Sequence, residues 1–141
     1  MSDQASSSSL VQSYLHRCPA REVLTVLADK WVLLVLSVLR GNDGPIRFNE
    51  LRRRLDGITQ KMLTRTLRNL EREGLVRRAV YPTVPPRVEY SLTELGASIS
   101  ELSHAMGTWA VRHQDQILTA RADFDARVSS DPEPLRSPAS R

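Results

Sequence analysis

The chain has 141 residues, 40% of them hydrophobic and 26% charged, enough apolar material for one packed core with polar extensions. Only 5% are aromatic, so the core must be built mainly from Leu, Val and Ile. The 20 Lys and Arg outnumber the 16 Asp and Glu, and the net charge of +4 hints at a polyanionic partner without proving one. The longest apolar stretch, residues 31–39, is too short to span a bilayer. Residues 1–10 have no basic start and no apolar run, so no signal peptide is expected. Cys18 is the single cysteine, which excludes an internal disulfide or a Cys-based metal cage and points to a reducing cytoplasm.

The charge is unevenly placed. Residues 1–46 are neutral, residues 47–90 carry 11 basic against five acidic side chains, and residues 91–141 are slightly acidic. A localised basic patch is a sharper sign of a nucleic-acid partner than a high overall pI. A solvated, Arg-rich surface would give the same count, so the placement of these charges on elements has to decide.

In chain order, residues 1–12 are Ser-rich and read as a flexible tail. Pro19 is suited to open a helix over residues 19–28, with Val23, Leu24 and Leu27 as its apolar stripe. A second helix, about Lys30 to Arg40, is apolar nearly all round and should be buried. Residues 41–45, Gly-Asn-Asp-Gly-Pro, break it. A short helix from about Arg47 to Leu55 places Phe48, Leu51 and Leu55 on one face and leaves Arg52, Arg53 and Arg54 outside.

After a turn at residues 56–58, Thr59 is a natural N-cap for a helix from Gln60 to about Glu73, with Gly74 at its C′ position. Leu63, Thr66, Leu67 and Leu70 share one face of that helix. Lys61, Thr64, Arg65 and Arg68 have the same spacing and fall nearly opposite. Two helices with a basic outer face on the second make a helix-turn-helix pattern.

Two strand-like segments follow, residues 75–81 and 87–92, around the proline-rich residues 82–86. Val88, Tyr90 and Leu92 alternate with polar neighbours, the period of a half-buried strand, and the pair reads as a wing. Thr93 should cap a long last helix, in which Leu95, Ile99, Leu102, Met106, Trp109 and His113 recur at alternating steps of four and three. One face of it should cover the core, and part of the seam should meet another subunit. Residues 129–141 carry three prolines and read as a disordered tail. The fold class is mainly α with a small β-hairpin. A domain over residues 13–117 divides into a helix-turn-helix at 47–74, a wing at 75–92 and a dimerisation helix from 93. Residues 118–141 are then a helix end and tail.

These segments resemble the HxlR family of winged helix-turn-helix transcriptional regulators, a branch near the MarR regulators. The matching stretches are Cys18-Pro19, Asp29-Lys-Trp31, Arg47-Phe-Asn-Glu-Leu-Arg-Arg53, Gly57-Ile-Thr-Gln-Lys-Met-Leu-Thr64, Leu67-Arg-Asn-Leu-Glu-Arg-Glu-Gly-Leu-Val76, and Tyr81 through Gly96. They run in family order over residues 18–112, departing at Asp29, where many relatives have Gly. The resemblance implies a dimeric regulator, paired through its first and last helices, that presents recognition helices and wings to a palindromic operator. The extensions outside it inherit nothing.

DNA binding needs contacts that position the protein on phosphates and contacts that read base edges in the major groove. Gln60, Lys61, Thr64 and Arg65 are the expected base readers. Thr59, Arg68 and the run Arg52, Arg53 and Arg54 suit phosphates, and Arg87 at the wing base suits a phosphate or the minor groove, as does Arg77 or Arg78 from the other wing strand. For Arg68 and Arg72, pairing with Glu71, Glu73 or solvent is about as good an account, as it is for any single arginine. Leu102, Met106, Trp109 and His113 are candidates for the dimer interface.

Cys18 precedes a helix N-terminus, a place that favours a thiolate, and some family members sense electrophiles or oxidants through a cysteine there. A small interface residue without a sensing role is an equal alternative. His16, His104 and His113 lack metal-ligand spacing. No Ser/His/Asp set or Gly-rich phosphate loop suggests an enzyme, and no cofactor is expected. The expected function is a dimeric DNA-binding regulator, a repressor answering to a small molecule, electrophile or oxidant. The competing readings are a winged-helix module that binds protein, and a regulator without redox sensing.

Overall fold

The computed structural model describes Leu10, Gln12 and residues 15–130. The Ser-rich start over residues 1–9 and the proline-rich end over 131–141 lie outside the described residues, so the tails expected there are not addressed. Residues through Ala105 form one compact unit and those from Met106 onward another.

In the first unit, α1 (Pro19–Leu27) opens with proline in its first turn, where the missing N–H leaves nothing unsatisfied. Its apolar residues do not bury: Val23 and Leu24 stay exposed and Leu27 is half-buried. Helix α2 (Lys30–Gly41) is capped by Asp29, whose carboxylate accepts from the backbone N–H groups of Trp31 at 2.8 Å and Val32 at 3.3 Å. It buries Val32, Val35, Leu36 and Leu39, while Leu34 remains exposed, so it is a core helix with one open edge.

A two-residue strand, β1 (Ile46–Arg47), follows, where the residue pattern predicts only the start of the next helix at about Arg47. Strands of two residues leave no periodic signature, and only pairing across the sheet defines this one. Helix α3 (Phe48–Arg54) places Leu51 in the core and leads through Leu55 and Ile58, both buried, into α4 (Gln60–Arg72). Strands β2 (Val76–Tyr81) and β3 (Arg87–Leu92) form an antiparallel hairpin with Val76 opposite Leu92 and Tyr81 opposite Arg87. Strand β1 pairs with the other edge of β3, Ile46 opposite Tyr90, giving the sheet order β1-β3-β2. Ile46 and Tyr90 thereby pin the wing to the core formed by α2, α3 and α4.

Helix α5 (Glu94–Ser130) is 37 residues long and takes in Ser129 and Ser130, which composition had assigned to a tail. Its first turns pack on the first unit through Gly96, Ser100 and Ser103, all buried, with Ile99 half-buried beside them. This corrects one expectation. The core-covering face of α5 is a row of small residues, and the apolar seam lies next to it, with Leu95 and Leu102 exposed. The reason is distance. A Cβ on Gly96 would sit 1.9 Å from the carbonyl oxygen of Leu75, so only glycine lets α5 approach the start of β2. In the second unit, Met106, Trp109, Val111, Leu118, Phe124 and Val128 are each more than half exposed along the helix.

Candidate nucleic-acid interface

Helix α4 is positioned from both ends. At its start, Thr59 accepts a hydrogen bond on Oγ1 from the Met62 N–H at 3.1 Å, as an N-cap should. At its end, Gly74 adopts φ +75°, and the N–H groups of Leu75 and Gly74 donate to the carbonyls of Leu70 at 2.9 Å and Glu71 at 3.0 Å. That pattern closes the helix on a left-handed residue that glycine takes at no steric cost. Thr93 then ties this terminus to α5: its hydroxyl donates to the Gly74 carbonyl at 2.6 Å and accepts from the Gly96 N–H at 3.0 Å.

Between these anchors α4 has two opposed faces. Leu63, Thr66, Leu67 and Leu70 are buried against the core. Gln60, Lys61, Thr64, Arg65 and Arg68 are exposed and, with Asn69, line one shallow depression on the outer face. Thr64 donates its hydroxyl back to the Gln60 carbonyl at 2.8 Å, which leaves its oxygen lone pairs outward. None of the ion pairs among the described residues involves Lys61, Arg65 or Arg68. Arg72, by contrast, approaches Glu73 at 3.9 Å. Among the described residues an ion pair is therefore found for Arg72 and not for the three cations on the outer face.

A larger groove lies beside this face, between α3, the start of α4 and the wing. Gln60 and Thr64 form its α4 wall, and Arg47, Arg53, Arg54, Arg78 and Arg87 bring five cations to it. Arg54 belongs to the run expected at phosphates, whereas Arg47 reads in sequence only as a helix start. Its exposure on β1 and its place in the groove follow from the strand that pairing creates.

Two of these cations are held. Glu50 pairs with Arg53 and, at 3.0 Å, with the Arg54 Nε, while an Arg54 Nη donates to the Asn42 Oδ1 at 3.2 Å. The Arg53 hydrogen bond, followed by that from Arg54, holds the Glu50 carboxyl below its ordinary value. A depressed carboxylate contributes its stabilisation above the usual glutamate range and loses it as pH falls through the folded value, so the pair is intact at neutral pH. Arg87 is likewise engaged: its guanidinium lies 4.4 Å from the Tyr81 ring centroid, and its Nε is 3.2 Å from the Glu89 carboxylate. That approach is a charge contact without hydrogen-bond alignment, since the buried Nε has no hydrogen-bond partner. Arg87 thus braces the wing. Arg52 is exposed and lies apart from the groove, beside Asn49 and Asp56 near the turn that precedes α4.

The remaining candidates lie elsewhere. Cys18 is the half-buried N-cap residue of α1 and makes no side-chain cap hydrogen bond, though its carbonyl accepts from Arg21 at 3.1 Å. Leu102, Met106 and Trp109 are exposed on α5. The half-buried His113 stacks on Trp109 at 4.6 Å, with its Nδ1 2.8 Å from the Trp109 carbonyl oxygen. Among the described residues there is no His, Cys, Asp and Glu cluster suited to a metal, and no helix is long and apolar enough to cross a membrane.

Three helices, a short capped helix with a basic outer face and a hairpin flanking it define a winged helix-turn-helix protein. Comparison with known proteins agrees. The HxlR-like helix-turn-helix family model matches residues 26–118. The uncharacterized HTH-type transcriptional regulator YtfH of Escherichia coli K12 is 42% identical over 108 residues, 77% of this chain and 84% of its own. The solved structure of ytfH from Salmonella typhimurium superposes with a TM-score of 0.70 at 43% identity, covering 75% of this chain and 93% of that one. The redox regulator HypR in its oxidized form superposes with a TM-score of 0.60 at 44% identity, covering 67% and 96%. The chain belongs to the HxlR family. It is a DNA-binding transcriptional regulator and not an enzyme.

Proposed function

We propose that the protein acts in the cytoplasm as a homodimeric repressor of a pseudo-palindromic operator, released by an electrophile, an oxidant or another small molecule. The observation that carries this reading is the outer face of α4, where Lys61, Arg65 and Arg68 stand exposed, without an ion pair among the described residues, next to a groove rich in arginine. In a major groove, Gln60 suits adenine and Lys61 or Arg65 suits the O6 and N7 atoms of guanine. Thr64 lies between them. Thr59, Arg52, Arg53 and Arg68 face the flanking phosphates, and the wing arginines reach the adjacent backbone. Dimerisation rests on the seam Leu102, Met106, Trp109 and His113, whose first three residues are exposed, since an apolar row this long is not left to water.

The sensing part has separate support. Cys18 is the half-buried N-cap residue of α1, and HypR, on which this chain superposes, is named a redox regulator. With one thiol per chain, a disulfide formed within the dimer joins Cys18 of both subunits.

Footprinting on selected oligonucleotides tests the DNA reading. The expected footprint is an inverted repeat with half-sites about 34–36 Å apart or a multiple of that. Affinity should fall steeply with salt, and binding that ignores salt would favour a protein partner instead. Diamide should release the wild-type protein and not Cys18→Ser, whereas equal release of both removes Cys18 as the sensor.

A further inference from the structure

The family match ends at residue 118, but α5 continues to Ser130, so about three turns of helix belong to this chain and not to the shared domain. Those turns are not uniformly polar. From Met106 the row Met106, Trp109, His113, Ile117, Ala120, Phe124, Val128 advances in steps of three, four, four, three, four and four. That is an eleven-residue repeat, which keeps one stripe on one side of a helix that runs straight or with a slight right-handed supercoil. It replaces the seven-residue spacing of residues 95–113. Phe124 is 56% exposed and Val128 54%, as open as Trp109 at 55%. Val111 and Leu118 lie off the row and do not contribute to it.

The flanks of the row name the occupant. At about 100° per residue, Arg121 and Asp125 fall along one edge, and Asp123 and Arg127 along the other. All four are exposed, and none enters an ion pair among the described residues, although each edge places its two charges one turn apart. The Arg127 guanidinium lies 5.9 Å from the Phe124 ring centroid, at the margin of the row. Each edge carries one cation and one anion in the opposite order to the other edge. A second copy therefore meets opposite charge in either direction: Arg121 against Asp123 and Asp125 against Arg127 when parallel, or Arg121 against Asp125 when antiparallel. An acidic or basic foreign surface would satisfy only half of these charges. In proteins most helical stability comes from packing an apolar face.

We propose that residues 119–130 pair with the same residues of a second copy, extending the dimer seam beyond the family domain. This rests on the homodimer reading above. Sedimentation of the full chain over a range of concentrations tests both. The wild type should be dimeric, and Phe124→Asp or Val128→Asp should raise the dimer dissociation constant at least about tenfold. Arg121→Asp should weaken association, and adding Asp123→Arg should restore a parallel pair or Asp125→Arg an antiparallel one. A wild-type monomer overturns the dimer reading and this one together. A wild-type dimer unaffected by Phe124→Asp and Val128→Asp overturns this proposal alone. If these substitutions expose apolar surface or lower helicity without changing association, the row is covered within one chain, and the proposal is likewise overturned.

Discussion

Helices α4 and α5 both carry an apolar row and a second row of the same spacing, and they use them in opposite ways. Helix α4 turns Leu63, Leu67 and Leu70 inward and presents Lys61, Arg65 and Arg68 to solvent. The first turns of α5 turn Gly96, Ser100 and Ser103 inward and leave Leu95 and Leu102 outside. The difference shows that an apolar row marks a surface to be buried without saying by what. For α4 the burying partner is the chain's own core. For α5 the space against Leu75 admits only a hydrogen at position 96, so small residues take the inner side and the apolar row is left for another surface.

The largest effect should separate the two rows directly. Leu67 is 1% exposed, and Leu67→Ala should destabilise the domain by about 2–5 kcal/mol in urea unfolding. Leu102→Ala, on the outward row, should cost about 0.5 kcal/mol or less at concentrations where the protein is monomeric. Equal losses at both positions would mean that α5 packs on its apolar row after all.

Next, Gly96→Ala should destabilise by about 1–3 kcal/mol, because the new methyl meets the Leu75 backbone and not a yielding side chain. Since Thr93 joins this turn to the end of α4, the same substitution should also weaken DNA binding at temperatures where the protein remains folded. An unshifted unfolding midpoint would show that α5 can stand off from β2.

On the outer face, Arg65→Ala should cost about 1–3 kcal/mol of operator affinity and relax preference at one base pair, with the unfolding transition unmoved. Loss spread evenly over unrelated sequences would make Arg65 a phosphate contact. The smallest effect concerns Glu50. Glu50→Gln should free Arg53 and Arg54 and raise DNA affinity severalfold at low salt, fading as salt is added. Unchanged affinity at low salt would remove Arg53 from the interface.

Much of this arrangement was legible in the residues. Thr59, Gly74 and Thr93 were assigned as caps from local chemistry alone, and each caps as expected, because a cap depends on only a few neighbouring residues. The basic face of α4 was legible for the same reason, since helical spacing is a local property. Arg47 was not, because β1 exists only through its pairing with β3, more than 40 residues away. Nor was the restraint on Arg87, which depends on Tyr81 meeting it across the hairpin.

The sequence by itself determined the helices, the hairpin, their caps and the basic face, which follow from periodicities and contacts within a few residues, and its motifs carried the resemblance to the family. Tertiary structure decided which of two neighbouring rows on α5 packs inward, which arginines are already paired, and which line the groove beside the wing. Those outcomes depend on distances between segments far apart in the chain, and the Leu75 carbonyl, standing where a Cβ on Gly96 would be, is the clearest of them.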